Sequence, residues 1–143
     1  MNWLIDERRG LDYVATRSDL DASRVAYLAL SVDGGLKLGL PAVETRYRSV
    51  VLVGAALYQA DTRLLPEINP INLVPYIRAP KLVLQGRYDE DSRLKTQAEP
   101  LHKLLTEPKR ILLYDGGHAP APEFYVPAIN DWLNETMGPV KAR

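Results

Sequence analysis

Ser31, Asp89 and His118 occur in that chain order, each at or just beyond the end of a short apolar run, and together they are a set for nucleophilic acyl transfer. A serine hydroxyl is a poor nucleophile until an imidazole takes its proton, and a carboxylate must hold that imidazole in the right tautomer. The residue types therefore cast Ser31 as nucleophile, His118 as proton shuttle and Asp89 as the orienting acid. The order serine, acid, histidine belongs to enzymes whose serine sits on a sharp strand-to-helix elbow. At such an elbow the backbone N–H of the next residue, here Val32, points at the developing oxyanion. Asp115, closer to His118 in sequence, is the rival acid.

The runs that would carry these groups are Val25-Ala26-Tyr27-Leu28-Ala29-Leu30, Lys81-Leu82-Val83-Leu84-Gln85-Gly86 and Arg110-Ile111-Leu112-Leu113-Tyr114. Their length and lack of alternation predict strands buried on both faces. A fourth strand is expected over 49–53. Between them lie helical patterns: residues 3–17, a short helix near 71–77, a segment from Leu94 to Leu105 that Pro100 kinks, and a final helix with Pro122 in its first turn and Gly138-Pro139 as its stop. Residues 32–44, interrupted by Lys37, Gly39 and Pro41, make a poor helix. Strands separated by helices predict an α/β fold with a mostly parallel sheet of about four strands and flanking helices. Side chains at the carboxyl ends of such strands converge on one site.

Composition narrows the partners. The 143 residues suit a single domain, 1–143, and nearly half are hydrophobic, enough for a real core. Lysine plus arginine equals aspartate plus glutamate, 18 each, so no basic stripe points to nucleic acid or an anionic membrane surface. Trp3 and Trp132 accordingly read as core. With no cysteine there is no disulfide, thiolate catalysis or cysteine metal site. No stretch resembles a signal peptide or a membrane span, so a cytoplasmic protein acting on a small molecule is expected. The glycines of residues 32–39 match neither dinucleotide nor P-loop spacing. Asp89, Glu90 and Asp91 read as a solvated acidic turn rather than a metal site, and His102 as a residue on the polar side of its helix.

Several pieces of the chain resemble one family. Leu11-Asp12-Tyr13-Val14-Ala15-Thr16-Arg17, Ala26-Tyr27-Leu28-Ala29-Leu30-Ser31, Val43-Glu44-Thr45-Arg46-Tyr47, Gly86-Arg87-Tyr88-Asp89-Glu90 and Asp115-Gly116-Gly117-His118 are similar to the α/β hydrolases, in their prolyl-oligopeptidase-like and dienelactone-hydrolase-like esterase branch. The resemblance runs from about Asp6 to Met137. It implies that Ser31, Asp89 and His118 fill the nucleophile, acid and base positions, which favours Asp89 over Asp115. The implied reaction is hydrolysis of small carboxylic esters through an acyl-enzyme, with no metal or organic cofactor.

Two departures from the family stand out. Asp33 replaces the second glycine of the Gly-x-Ser-x-Gly elbow and Ala29 the first. A carboxylate at 33 is expected to crowd the turn and to oppose oxyanion stabilisation. The resemblance also begins at the family's second half, so the strand loop that supplies the other oxyanion donor is not represented. The alternative function is a weak or inactive hydrolase-like module acting in binding or assembly, or a fragment of a longer hydrolase. Without a neighbouring strand, the Ser31 strand would be an open edge, which predicts a homodimer.

Overall fold

A computed structural model describes residues 2–57 and 65–140, the side chains of residues 2 and 3 excepted, so the expectation for Trp3 lies outside the described residues. Four strands, β1 (Val25–Leu30), β2 (Tyr47–Val53), β3 (Lys81–Gly86) and β4 (Lys109–Tyr114), form one parallel sheet in the order β1-β2-β3-β4. Sequence order and spatial order coincide. A sheet wound steadily in one direction by crossovers of one hand must place every crossover on the same face, and the packing follows that rule. Leu11 of helix α1 (Asn2–Thr16), Leu40 of α3 (Gly39–Val43), Val74 just beyond α4 (Pro70–Leu73) and Leu101 of α5 (Glu99–Leu104) share one core with Tyr27, Val50, Leu52 and Val83. The other face has a smaller core, Val51, Val53, Leu82 and Leu84, closed by Trp132 of helix α6 (Pro122–Met137).

The two central strands are enclosed on both sides. Every residue of β3 is buried, and Lys81 at its start is accommodated because its Nζ donates to the Ile77 carbonyl at 2.9 Å and to Thr106 Oγ1 at 3.3 Å. Burial of so costly a cation is tolerated only with such partners. Residues 32–44 form two short helices, α2 (Asp33–Leu36) and α3, rather than one, as the interrupting Lys37, Gly39 and Pro41 lead one to expect. Asn69 caps α4, its side chain accepting from Ile71 N. Pro122 opens α6, and Gly138, at φ 78°, ends it.

One expectation is corrected here. His102 is not on a polar helix side: it is half-buried, and its Nε2 is enclosed without a hydrogen-bond partner. A wide π-helical turn over Leu94–Ala98 precedes α5 and shifts the phase of the helix that carries it. Burial accordingly lowers the His102 pKa below its ordinary value.

α1 is tied to the turn before β2 through Glu44. Its carboxylate, 4% exposed, accepts from Arg46 Nε at 2.9 Å, Arg46 Nη2 at 2.7 Å, Arg46 N at 3.0 Å and Arg8 Nε at 3.2 Å. The Arg46 hydrogen bonds hold the Glu44 pKa down to about 2, against an ordinary 4.5. A depressed folded pKa contributes stability that is complete above the unfolded value and lost as pH falls through the folded one. Both arginines are partly solvated, which leaves on the order of 1–2 kcal/mol. We expect Glu44→Gln to remove that part of the acid lability lying between about pH 4.5 and 2, while lowering the neutral-pH melting temperature by several degrees. Parallel melting curves of both proteins at pH 7 and 3 test this, and a constant difference between them would contradict it.

Candidate active site

The chain leaves β1 at Leu30 and turns sharply. Ser31 has φ 52°, the one positive φ of a non-glycine residue among the described residues, and Val32 at φ −54° and ψ −41° is already helical. A left-handed serine between strand and helix costs about 1–2 kcal/mol, and it is held there by Ser31 N donating to the Val53 carbonyl at 2.8 Å. The side chain is thereby lifted off the sheet end. Because Val32 begins the helical geometry, its N–H belongs to the first turn, where amides lack intrahelical partners.

The structure brings the three expected residues together. His118 Nε2 lies 2.7 Å from Ser31 Oγ, and His118 Nδ1 lies 2.9 Å from Asp89 Oδ2. An ionised carboxylate can only accept, so Nδ1 carries the proton and Nε2 keeps the lone pair that receives the serine O–H. Asp89 is the exception in an otherwise solvated turn: it is buried, whereas Glu90 and Asp91 are exposed. Four donors repay its desolvation. Oδ1 accepts from Asp91 N at 2.9 Å and Ser92 N at 2.8 Å, and Oδ2 accepts from His118 and from Gln85 Nε2 at 3.0 Å. Asp89, Asp91 and His118 offer ligand atoms within 4.8 Å of one another, with Asp89 and His118 hydrogen-bonded to each other. Asp115 faces elsewhere, pairing with Arg87 at 3.0 Å with its side chain 79% exposed. We therefore expect Asp89→Asn to cut Ser31-dependent turnover by about 10³–10⁴-fold, with Asp115→Asn within twofold of the parent. Equal losses in the two variants would refute this assignment.

Comparison with solved structures decides the architecture. An acetyl xylan esterase from Paenibacillus sp. R4 superposes with a TM-score of 0.75 at 22% identity, over 93% of this chain and 52% of that one. An alpha/beta hydrolase, GrgF, from Penicillium sp. sh18 gives 0.77 at 13% identity, over 94% and 71%. A puromycin-hydrolyzing peptidase of Mycobacterium tuberculosis gives 0.75 at 16%, over 94% and 25%. This is the α/β-hydrolase fold, in its C-terminal half. At these identities the likeness concerns fold. No protein-family model matches the chain. An uncharacterized protein of Mycobacterium tuberculosis, strain ATCC 25618 / H37Rv, is 31% identical over 147 residues, 92% of this chain and 52% of its own length. The chain thus spans about half the length of that relative.

Within the α/β-hydrolase sheet, the residues that sequence reasoning missed are those beneath the three. Gly86 ends β3 where the His118 loop passes: a Cβ there would stand 2.0 Å from the Gly117 carbonyl oxygen and 2.6 Å from that of Gly116. Gly54, at φ 57°, ends β2 against the imidazole, where a Cβ would come within 3.1 Å of His118 Cε1. Ser92 Oγ donates to the Gly54 carbonyl at 2.6 Å and Gln85 Nε2 to the Ser92 carbonyl at 2.7 Å, linking the acid turn to the floor under the histidine. The Tyr114 hydroxyl reaches the Gly117 and His118 carbonyls at 2.9 and 3.0 Å, and burial pushes its pKa up to about 12. Glycines ending strands were the available signal, since a glycine there marks a close backbone approach.

The crowded position of the elbow is Gly34, not residue 33. A Cβ on Gly34 would lie 2.6 Å from Ala55 Cβ, whereas Asp33 is exposed and pairs with Lys37 at 3.2 Å. The expected steric conflict at Asp33 is therefore absent, because α2 meets the core through the next residue. No helix among the described residues is long and apolar enough to cross a membrane.

Proposed function

We propose that the site hydrolyses small carboxylic esters by acyl transfer through Ser31. The observation that carries this is the unbroken chain of hydrogen bonds from Ser31 through His118 to Asp89, with the serine on a left-handed turn. Ser31 Oγ attacks the ester carbonyl as its proton passes to His118 Nε2. The oxyanion forms within reach of the Val32 N–H. Collapse expels the alcohol, which takes the proton from His118, and leaves an acyl-serine. Water then attacks with His118 as base, releasing the carboxylic acid and restoring the hydroxyl.

Beside Ser31 and His118 lies a depression of about 360 Å³ lined by Leu30, Val53, Ala119, Pro120, Pro122 and Tyr125. Its apolar walls and size favour a short acyl or alcohol group over a peptide. That the superposed Paenibacillus protein is an acetyl xylan esterase supports a short acyl group. A second reading, that the chain works as part of a longer hydrolase, is favoured by the 52% of its relative that it spans. Among the described residues the elbow offers the Val32 N–H as an oxyanion donor, and a missing second donor costs about 10²–10³-fold in rate, so slow turnover is expected where no second donor is supplied.

Hydrolysis of a short-chain aryl ester by the purified chain, compared with Ser31→Ala, tests the proposal. Turnover unchanged in the variant would dismiss it. The charge of Asp33 is tested alongside: Asp33→Gly is expected to raise the Ser31-dependent rate only a few-fold, because the carboxylate is solvated and paired with Lys37. A fall in rate in a well-folded variant would mean that Asp33 helps, through the N-terminus of α2.

A further inference from the structure

Gln85 is a polar amide where packing asks for a hydrocarbon. It falls on the face of β3 that carries Val83, with Leu82 and Leu84 on the other face, and it is fully buried near the carboxyl end of the strand. Its Nε2 has three oxygens around it, the Ser92 carbonyl at 2.7 Å, Asp89 Oδ2 at 3.0 Å and the Gly86 carbonyl at 3.3 Å. Exchanging the two ends of the amide would set Oε1 against those same oxygens, so the network itself fixes which end is nitrogen. Oε1 is then enclosed with no donor among the described residues. A buried amide with one end unsatisfied costs stability relative to an apolar side chain of the same shape, and such an orphan calls for a reason elsewhere.

We propose that Gln85 is a positioning residue for Asp89: it ties the carboxylate to the sheet, so that Oδ2 stays aimed at His118 Nδ1. The reason lies in where the donors to Asp89 come from. Asp91 N and Ser92 N belong to the same turn as Asp89 and travel with it, and His118 is the group being oriented. Gln85 Nε2 is the donor that starts from β3. The same amide also donates to the Ser92 carbonyl, which holds the far end of the turn. The carboxylate is thereby gripped from outside its own loop, as a site on a rigid element requires. The effect on Ser31 rests on the esterase reading above, whereas the orientation of the imidazole does not.

The test uses two variants of the whole chain. Gln85→Met keeps the length and removes both the donor and the orphan oxygen, so it is expected to melt within a few degrees of the parent. Labelling of Ser31 by a fluorophosphonate is expected to slow about 10–100-fold, the range for losing an outer partner that orients a site ligand. The low-field proton resonance of His118 Nδ1–H, which reports the hydrogen bond to Asp89, is expected to move upfield; a merely structural role leaves it in place. Gln85→Glu keeps the shape and serves where Gln85→Met fails to fold. The introduced carboxyl donates when protonated and cannot when ionised, so its labelling rate relative to the parent is expected to fall as pH rises through its titration. Labelling of Gln85→Met within about twofold of the parent, an unmoved resonance, or a Gln85→Glu rate in constant ratio to the parent across pH would overturn the positioning role. A parent that shows the resonance and never labels would overturn the esterase reading, and the resonance in whichever variant folds would then decide the positioning role by itself.

Discussion

His118→Ala is expected to abolish fluorophosphonate labelling of Ser31, by at least about 10³-fold in rate, while leaving the melting temperature within a few degrees of the parent. The probe phosphorylates an activated hydroxyl and depends little on a shaped substrate pocket, so it reads the Ser31–His118 contact of 2.7 Å even where ester turnover is slow. Without the imidazole the hydroxyl loses the base it is hydrogen-bonded to among the described residues, and a free serine hydroxyl is a poor nucleophile at neutral pH. The imidazole is only part-buried, so its loss leaves no large cavity. Intact-mass analysis over time gives the answer. Labelling of His118→Ala at the parent rate, or an adduct on another serine, would remove Ser31 from the chemistry.

Gly86→Ala is expected to have the largest structural effect of any methyl-sized change near the site. The added Cβ meets backbone oxygen, at 2.0 Å for Gly117 and 2.6 Å for Gly116, and backbone cannot swing aside as a side-chain tip does. The His118 loop must then lift away from β3, which also strains the bonds from Arg87 N to the Tyr114 carbonyl and from Tyr88 N to the Gly116 carbonyl, both 3.0 Å. Overpacking of this kind costs about 1–3 kcal/mol, or several degrees in melting temperature for a chain of this size. Labelling at Ser31 should fall at least a hundredfold with the displaced imidazole. Gly117→Ala is the control, since a Cβ there would meet nothing within 4 Å. If Gly86→Ala keeps both its melting temperature and its labelling rate, the close approach does not matter to the site.

Much of the sheet was legible because buried parallel strands leave a plain trace. The runs Val25–Leu30 and Lys81–Gly86, the second with Lys81 and Gln85 among its apolar residues, end where the observed strands end, and β4 begins one residue before its apolar pattern; β1 departs from the expected burial on both faces, since Leu28 and Leu30 are exposed. β2 begins at Tyr47, two residues earlier than read, because Arg48 interrupts the pattern on its exposed side. The meeting of Ser31, Asp89 and His118 was legible in order and position. What was not legible was how Asp89 is sheltered. Its burial depends on Gln85 and Ser92, whose side chains look like ordinary polar residues until the turn folds them inward. The phase of α5 was hidden for a similar reason, since a π-helical turn leaves no periodic signature of its own.

Ser31 leaves the sheet at one edge, whereas His118 follows the strand at the opposite edge, so the imidazole loop must cross the ends of β3 and β2 to reach the serine. The contact closes a loop of 87 residues. Contacts of such separation are slow to form, because chain entropy must be surrendered before they return anything. The Ser31 hydroxyl therefore lacks its imidazole partner in any species in which β4 has not joined the sheet. During synthesis or refolding, a partly assembled chain carries Ser31 without a hydrogen-bonded imidazole, and that contact comes into being only when the last strand has been laid down.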